Sequence, residues 1–307
     1  MIQPSDLFAF EQDADQNVAR HGEGLVMLHV LQGFVDAGAV GAIVTEHLLD
    51  RFTVQRVASF DIDLMLDYRA RRPVMTFDQS AWVSYQDPEL VLDLLTDDQG
   101  QAFLLLHGME PDLYWERYVK AVRSIIERWN ISMVVATHGV PMAVPHTRPV
   151  GMSVHGTRPE LVGENPTVIG RAEVPAALSS LTELRLGRAG HDSLGFAVHV
   201  PHYLARSQYH PAAKRSLEAI ADAIGSDLGE EELQEMADAD LARVCQEVTE
   251  SPEVAELVSA LERQYDAFLE GLEKPSLLAD EKDLPSADEL GAQFEQFLAE
   301  QYDDGQN

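Results

Sequence analysis

Only one cysteine, Cys245, occurs in the 307 residues. No intramolecular disulfide can form, and nothing in the cysteine usage asks for an oxidising compartment. Lysine is almost as scarce, with Lys120, Lys214, Lys274 and Lys282 the whole complement. Kinases and ligases lean on lysine at the phosphates, and no Gly-Lys-Ser/Thr P-loop is present, so nucleotide-dependent chemistry is poorly served. No apolar run approaches the roughly 20 residues that cross a bilayer, and the amino-terminal Met1-Ile2-Gln3-Pro4-Ser5-Asp6-Leu7 carries neither a basic nor a long apolar region. The expectation is a cytoplasmic protein with no membrane role. Positive charge is short throughout, 22 Lys and Arg against 52 Asp and Glu, a net charge of −30. Such a chain repels phosphate backbones, so nucleic acid is not an expected partner.

What is present divides the chain. Residues 216–307 hold 26 of the acidic residues against only Arg243, Arg263, Lys274 and Lys282, whereas all 11 histidines lie at or before His210. We therefore expect an α/β body over residues 1–215 and an acidic helical segment over 216–307. Within the body, short apolar runs bounded by turn residues read as buried strands: 24–31, 51–60, 73–77, 101–106, 131–136 and 193–200. Between two of them Tyr114, Tyr118, Val122, Ile125, Ile126 and Trp129 recur at helical spacing, which makes a βαβ unit and predicts a mostly parallel sheet with helices on both faces. Further helices are expected over 39–49, 175–188 and from Pro211 to Gly225. Val254, Leu257, Val258, Leu261, Tyr265, Phe268, Leu269 and Leu272 form one apolar stripe and Leu290, Phe294, Phe297 and Leu298 another, with a linker from Pro275 to Pro285. An amphipathic helix is marginal alone, so the stripes should pack on the body or on another subunit.

Ligands of open parallel sheets bind beyond the carboxyl ends of the strands. There the sequence places His107, Glu110 and Asp112 after one strand, His138 after another, His146, Arg148 and His155 in the loop and strand that follow, and His199, His202 and Tyr203 at the end of the last. If the strands are neighbours, these residues converge on one rim able to bind a ligand or carry acid–base chemistry. The competing reading is structural, since a histidine at a strand end commonly just hydrogen-bonds a loop. No metal is expected: there is no His-Glu-x-x-His, and Cys245 lies in the histidine-free part. The turn carrying Gly33, Asp36 and Gly38 follows a strand and opens a helix, so its amides are a weak candidate anion site, without dinucleotide spacing. Gly151-Met152-Ser153-Val154-His155-Gly156 misses the spacing of a nucleophile elbow by one position.

Seven stretches taken together carry more information: Gly33-Phe34-Val35-Asp36-Ala37-Gly38, Phe60-Asp61-Ile62-Asp63, Tyr68-Arg69-Ala70-Arg71-Arg72-Pro73, His107-Gly108-Met109-Glu110-Pro111-Asp112, His138-Gly139-Val140-Pro141, Pro145-His146-Thr147-Arg148-Pro149 and Val200-Pro201-His202-Tyr203-Leu204. Over about residues 24 to 225 the chain resembles the proteasome assembly chaperone 2 family, in detail its actinobacterial branch. The resemblance implies a three-layer α/β/α fold of phosphorylase/hydrolase-like type, and a non-catalytic, chaperone-like role like that of the eukaryotic members, which assist proteasome α-ring assembly. It implies protein partners and self-association, as a dimer or trimer, and no cofactor. Proteins that dock on proteasome rings end in a hydrophobic-Tyr-x motif. Here Tyr302 stands five residues before Asn307, so docking by that route is not expected. An alternative stays open: an enzyme or small-ligand binder of hydrolase, phosphorylase or nucleotide-dependent type, using the histidine rim.

Overall fold

A computed structural model describes residues 2–97, 99–163 and 170–269. In chain order the elements are β1 (Phe8–Phe10), α1 (Ala14–Ala19), β2 (Val26–Gln32), α2 (Val40–Arg51), β3 (Thr53–Phe60), β4 (Met75–Asp78), β5 (Ala81–Tyr85), β6 (Leu90–Thr96), β7 (Ala102–Met109), α3 (Trp115–Trp129), β8 (Met133–Met142), β9 (Met152–Gly156), α4 (Pro159–Val162), α5 (Leu178–Arg188), β10 (Ser193–Pro201), α6 (His210–Ile224), α7 (Gln234–Glu250) and α8 (Pro252–Leu269). Eight strands form one sheet in the order β1-β3-β6-β7-β2-β8-β10-β9. Its centre, β7-β2-β8-β10, is parallel. The remaining neighbours pair antiparallel, so β2, β3, β7, β8 and β10 run one way and β1, β6 and β9 the other.

Strand alternation builds two cores, because successive side chains leave opposite faces of a sheet. Phe103 and Leu105 of β7 join Leu28, Val135, Phe196 and Val198 beneath α2 and α6. Leu104 and Leu106 join Met27, Leu92 and Val134 beneath α1, α3 and α5. The result is the expected three-layer sandwich. The helix read from aromatic and aliphatic spacing is α3, which buries Tyr118, Val122, Ile125 and Ile126. It stops at Asn130, one of the few non-glycine residues that tolerate its left-handed conformation at φ 48°.

Three features depart from the linear reading. The 73–77 run is not a sheet strand: it supplies β4, which pairs only with β5 in a hairpin standing off the body. The strand β6 is unannounced, because Asp93 breaks its apolar run; β1 escapes notice because it is three residues long. Finally, α6 passes unbroken through positions 215 and 216 and buries Ser216, Leu217 and Ile220 in the body, so the change of charge along the chain falls within a helix. Beyond it, α7 inserts Val244 into the α2–α6 core, and α8 lays Tyr265 and Phe268 against Met142 and Val144. The described part of the first apolar stripe thus packs on the body. The second stripe, the Pro275–Pro285 linker and Tyr302 lie outside the described residues. Among the described residues no helix is long and apolar enough to cross a membrane.

Candidate functional site

The predicted rim residues lie on or after β7, β8, β9 and β10, but not on one rim, for His138 pairs with Ala197 in mid-strand and His155 with Gly195 near the amino end of β10, and they form separate groups. His107, on β7, meets Asp93 of β6: its Nε2 lies 2.8 Å from the carboxylate, whose other oxygen accepts a 2.6 Å hydrogen bond from Arg56 of β3. Burial alone would push the Asp93 carboxyl up, but the bonds from His107 and Arg56 outweigh it and hold its pKa below the usual carboxylate value. Asp93 is therefore an anion, and His107 donates to it through Nε2–H. His107 also lines a cleft of about 420 Å³ at the foot of the β4–β5 hairpin.

His138 and His155 make a second group. Strand periodicity turns both toward the α5 face, with ring centroids 6.5 Å apart, and His155 Nδ1 lies 2.8 Å from the Glu183 carboxylate of α5. The ring of His155 crosses β10 over Gly195, where a Cβ would lie 2.0 Å from its Cε1. On the same face Ser153 Oγ lies 2.9 Å from His199 Nε2, yet Ser153 sits within β9 rather than on a sharp turn, so no nucleophile elbow forms. Burial drops both His138 and His199 to a pKa of about 4, with His155 adding repulsion at His138.

The third group surrounds His146, whose backbone N–H donates to Tyr203 Oη at 2.9 Å while Nδ1 lies 2.8 Å from the same oxygen. The other ring nitrogen is Nε2. That atom faces Cys245 Sγ at 3.7 Å. The sole cysteine, more than ninety residues away in the chain, is thereby brought to a histidine. Nearby, Arg148 reaches Asp266 of α8 through paired bonds of 2.7 and 2.8 Å and also Glu262. His146 and Arg148 line a second cavity of about 390 Å³, distinct from that of His107. His202 stacks edge-on against Tyr203, and its buried Nδ1 has no partner among the described residues.

Other predicted site residues hold the chain together. Glu110 accepts the Leu178 N–H at 2.6 Å, capping α5, and the Phe34 N–H at 3.2 Å. A side chain at Gly33 would strike its carboxylate at 2.4 Å. Asp112 accepts the Asp67 N–H at 2.7 Å and pairs with Arg71. In the candidate anion turn, the amides of Gly41 and Ala42 at the start of α2 already donate to Asp36, as does Gly139 of β8. The chain's own carboxylate occupies the position an anion would take, while Gly38, at φ 68°, fits under Val200 and Tyr209. Sequence reasoning passed over Arg56, Asp93 and Glu183. Of these only Asp93 left a trace, a carboxylate inside an apolar run. Among the described residues no group of three or more His, Cys, Asp or Glu is arranged to hold a metal ion.

Comparison with known proteins follows the fold. A model of the PAC2 family matches residues 30–248. No curated protein matches. A solved structure from Mycobacterium tuberculosis, a protein of unknown function, is 43% identical, with 86% of this chain and 90% of that chain covered and a TM-score of 0.82. One from Corynebacterium glutamicum, also of unknown function, is 31% identical with 87% and 99% covered and a TM-score of 0.82. A Mycobacterium tuberculosis proteasome-assembly chaperone homologue shares the fold at 23% identity, with 76% and 100% covered and a TM-score of 0.68. The quoted motifs, the three-layer body and these matches agree, and the chain belongs to the PAC2 family.

Proposed function

We propose that this protein is a chaperone-like protein-interaction module, non-catalytic in that role and cytoplasmic, which engages further copies of itself through the β4–β5 hairpin. The hairpin carries this reading. Every residue of both strands is exposed, including Met75, Phe77, Trp82, Val83 and Tyr85, with Trp82 64% exposed. Phe77 and Trp82 stack edge-to-face at 5.0 Å, an anchor of the kind that dominates interface energetics. A lone two-stranded hairpin is marginal in water and gains most from being covered.

The occupant is argued from charge. Between Val74 and Gln86 only Asp78 is charged, in a chain of net charge −30. Two copies can meet at this neutral arm without pressing acidic surfaces together. With about half of each large apolar side chain bare, one arm offers on the order of 600 Å². A reciprocal pair reaches the low end of the roughly 1,200–2,000 Å² that specific interfaces bury. The fold shared with a proteasome-assembly chaperone homologue supports the chaperone class, and the dispersal of the rim histidines into separate pairs supports a non-catalytic role. We take the acidic stretch from residue 216 onward as accessory to the 1–215 body, its described helices α7 and α8 packing on the His146 side.

Light scattering coupled to size-exclusion chromatography tests the reading. The full chain is expected at two or three times its monomer mass, and Phe77→Glu with Trp82→Glu at monomer mass. A monomeric parent, or an unchanged mass in the variant, overturns it.

A further inference from the structure

The cleft at the foot of the hairpin is built differently from the other histidine groups. The Asp93 carboxylate is fully committed, one oxygen to Arg56 and the other to His107. That arrangement fixes the His107 ring and leaves Nδ1 with no hydrogen-bond partner among the described residues. The approach of the Glu89 segment depends on Gly108, at φ 123°, where a Cβ would lie 2.1 Å from the Glu89 carbonyl oxygen. Glu89 and Gly108 border the cleft together with His107.

The walls carry opposite charges that are not spent on each other. Arg72 and Asp87 both line the cleft, and neither forms an ion pair among the described residues. The side-chain amides of Gln32 and Gln86 add donors and acceptors between them. A volume of about 420 Å³ lies within the roughly 300–1,000 Å³ of small-molecule sites.

We propose that this cleft binds a small zwitterion of the amino-acid or dipeptide class, with Arg72 on the carboxylate, Asp87 on the ammonium group and His107, oriented by Asp93, hydrogen-bonding the ligand through Nδ1. The chemistry favours a zwitterion over a simple anion. A chain of net charge −30 repels anions, and Asp87 and Glu89 line the cleft together with Arg72, so it holds no net positive field. Arginine matches a carboxylate with two parallel bonds. This inference is independent of self-association through the hairpin, since the lining residues used here are not the exposed apolar ones.

Isothermal titration of the full chain with the common amino acids and a set of dipeptides tests it, alongside Arg72→Gln, Asp87→Asn and His107→Phe. Saturable one-to-one binding at millimolar or tighter affinity is expected for at least one free zwitterion. Each exposed-residue variant should weaken it at least tenfold, about 1.4 kcal/mol, without changing the melting temperature of the unliganded protein. The N-acetylated and carboxyl-amidated forms of the same ligand should bind at least tenfold more weakly. No saturable binding across the set, or binding unaltered by Arg72→Gln and by N-acetylation, overturns the proposal. Because Arg72 and Asp87 are exposed, the test does not depend on His107→Phe folding.

Discussion

His29, His138 and His199 are held neutral by burial, each with a pKa lowered from 6.5 to about 4. The unfolded chain takes up a proton at each as pH falls through 6.5, the folded chain not until about 4. Within that window the unfolded state binds more protons, so stability is lost as pH falls from 6.5 toward 4 and is level above it. Thermal unfolding followed across this range should show the melting temperature dropping. His29→Gln, which can still meet the Tyr118 hydroxyl now 2.8 Å away, should make the drop shallower. A second expectation concerns Gly195, pressed by the His155 ring. Gly195→Ala should cost about 1–3 kcal/mol in denaturant unfolding, and His155→Ala in the same chain should recover most of it. A loss of equal size with His155 already removed would show that the ring is not the cause. Histidines were visible in the sequence, but their partners were not. Asp93, Glu183 and Tyr203 are separated from their histidines by 14, 28 and 57 positions, and only strand pairing brings them together.

At the scale of elements, α8 shows which contacts hold the acidic segment in place. Val258 and Leu261 are 5% exposed, whereas the Arg148, Glu262 and Asp266 side chains are 30 to 49% exposed and therefore screened by solvent. Leu261→Ala should weaken α8 docking by about 2–4 kcal/mol, read as faster amide hydrogen exchange along α8 with α3 unchanged. Arg148→Gln should alter that exchange little. Equal effects of the two would mean that the ion pairs, not the apolar stripe, seat the helix. The stripe itself was legible because spacing of three and four residues survives whatever the helix packs against. Elements whose identity rests on distant partners were not. The interrupted run of β6 becomes a strand because Arg56 and His107 satisfy Asp93, and β4, apolar enough for a core, stands in an arm because its partner is β5 alone.

For the molecule as a whole, the charge of −30 opposes association of two copies, and least at the arm, where only Asp78 is charged between Val74 and Gln86. Raising salt from low to physiological ionic strength shortens the screening length to about 8 Å. Self-association through the hairpin should therefore strengthen as salt rises, seen as a growing oligomer fraction in sedimentation velocity. An oligomer that falls apart with salt would place ion pairs, not the arm, at the interface. Composition and periodicity by themselves determined the α/β class, the helices α3 and α6 and the acidic bias of the C-terminal third, while the family was legible as a resemblance carried by seven short stretches. These properties are local, carried by turn residues, apolar spacing and net charge. Tertiary structure alone decided that the candidate anion turn is filled by Asp36, that Glu110 and Asp112 are ties, and that the rim divides into separate clusters. It also decided that His107 gains an orienting carboxylate and that one apolar run is left in solvent. A side chain's role depends on which distant group satisfies it, and chain order carries no record of strand order.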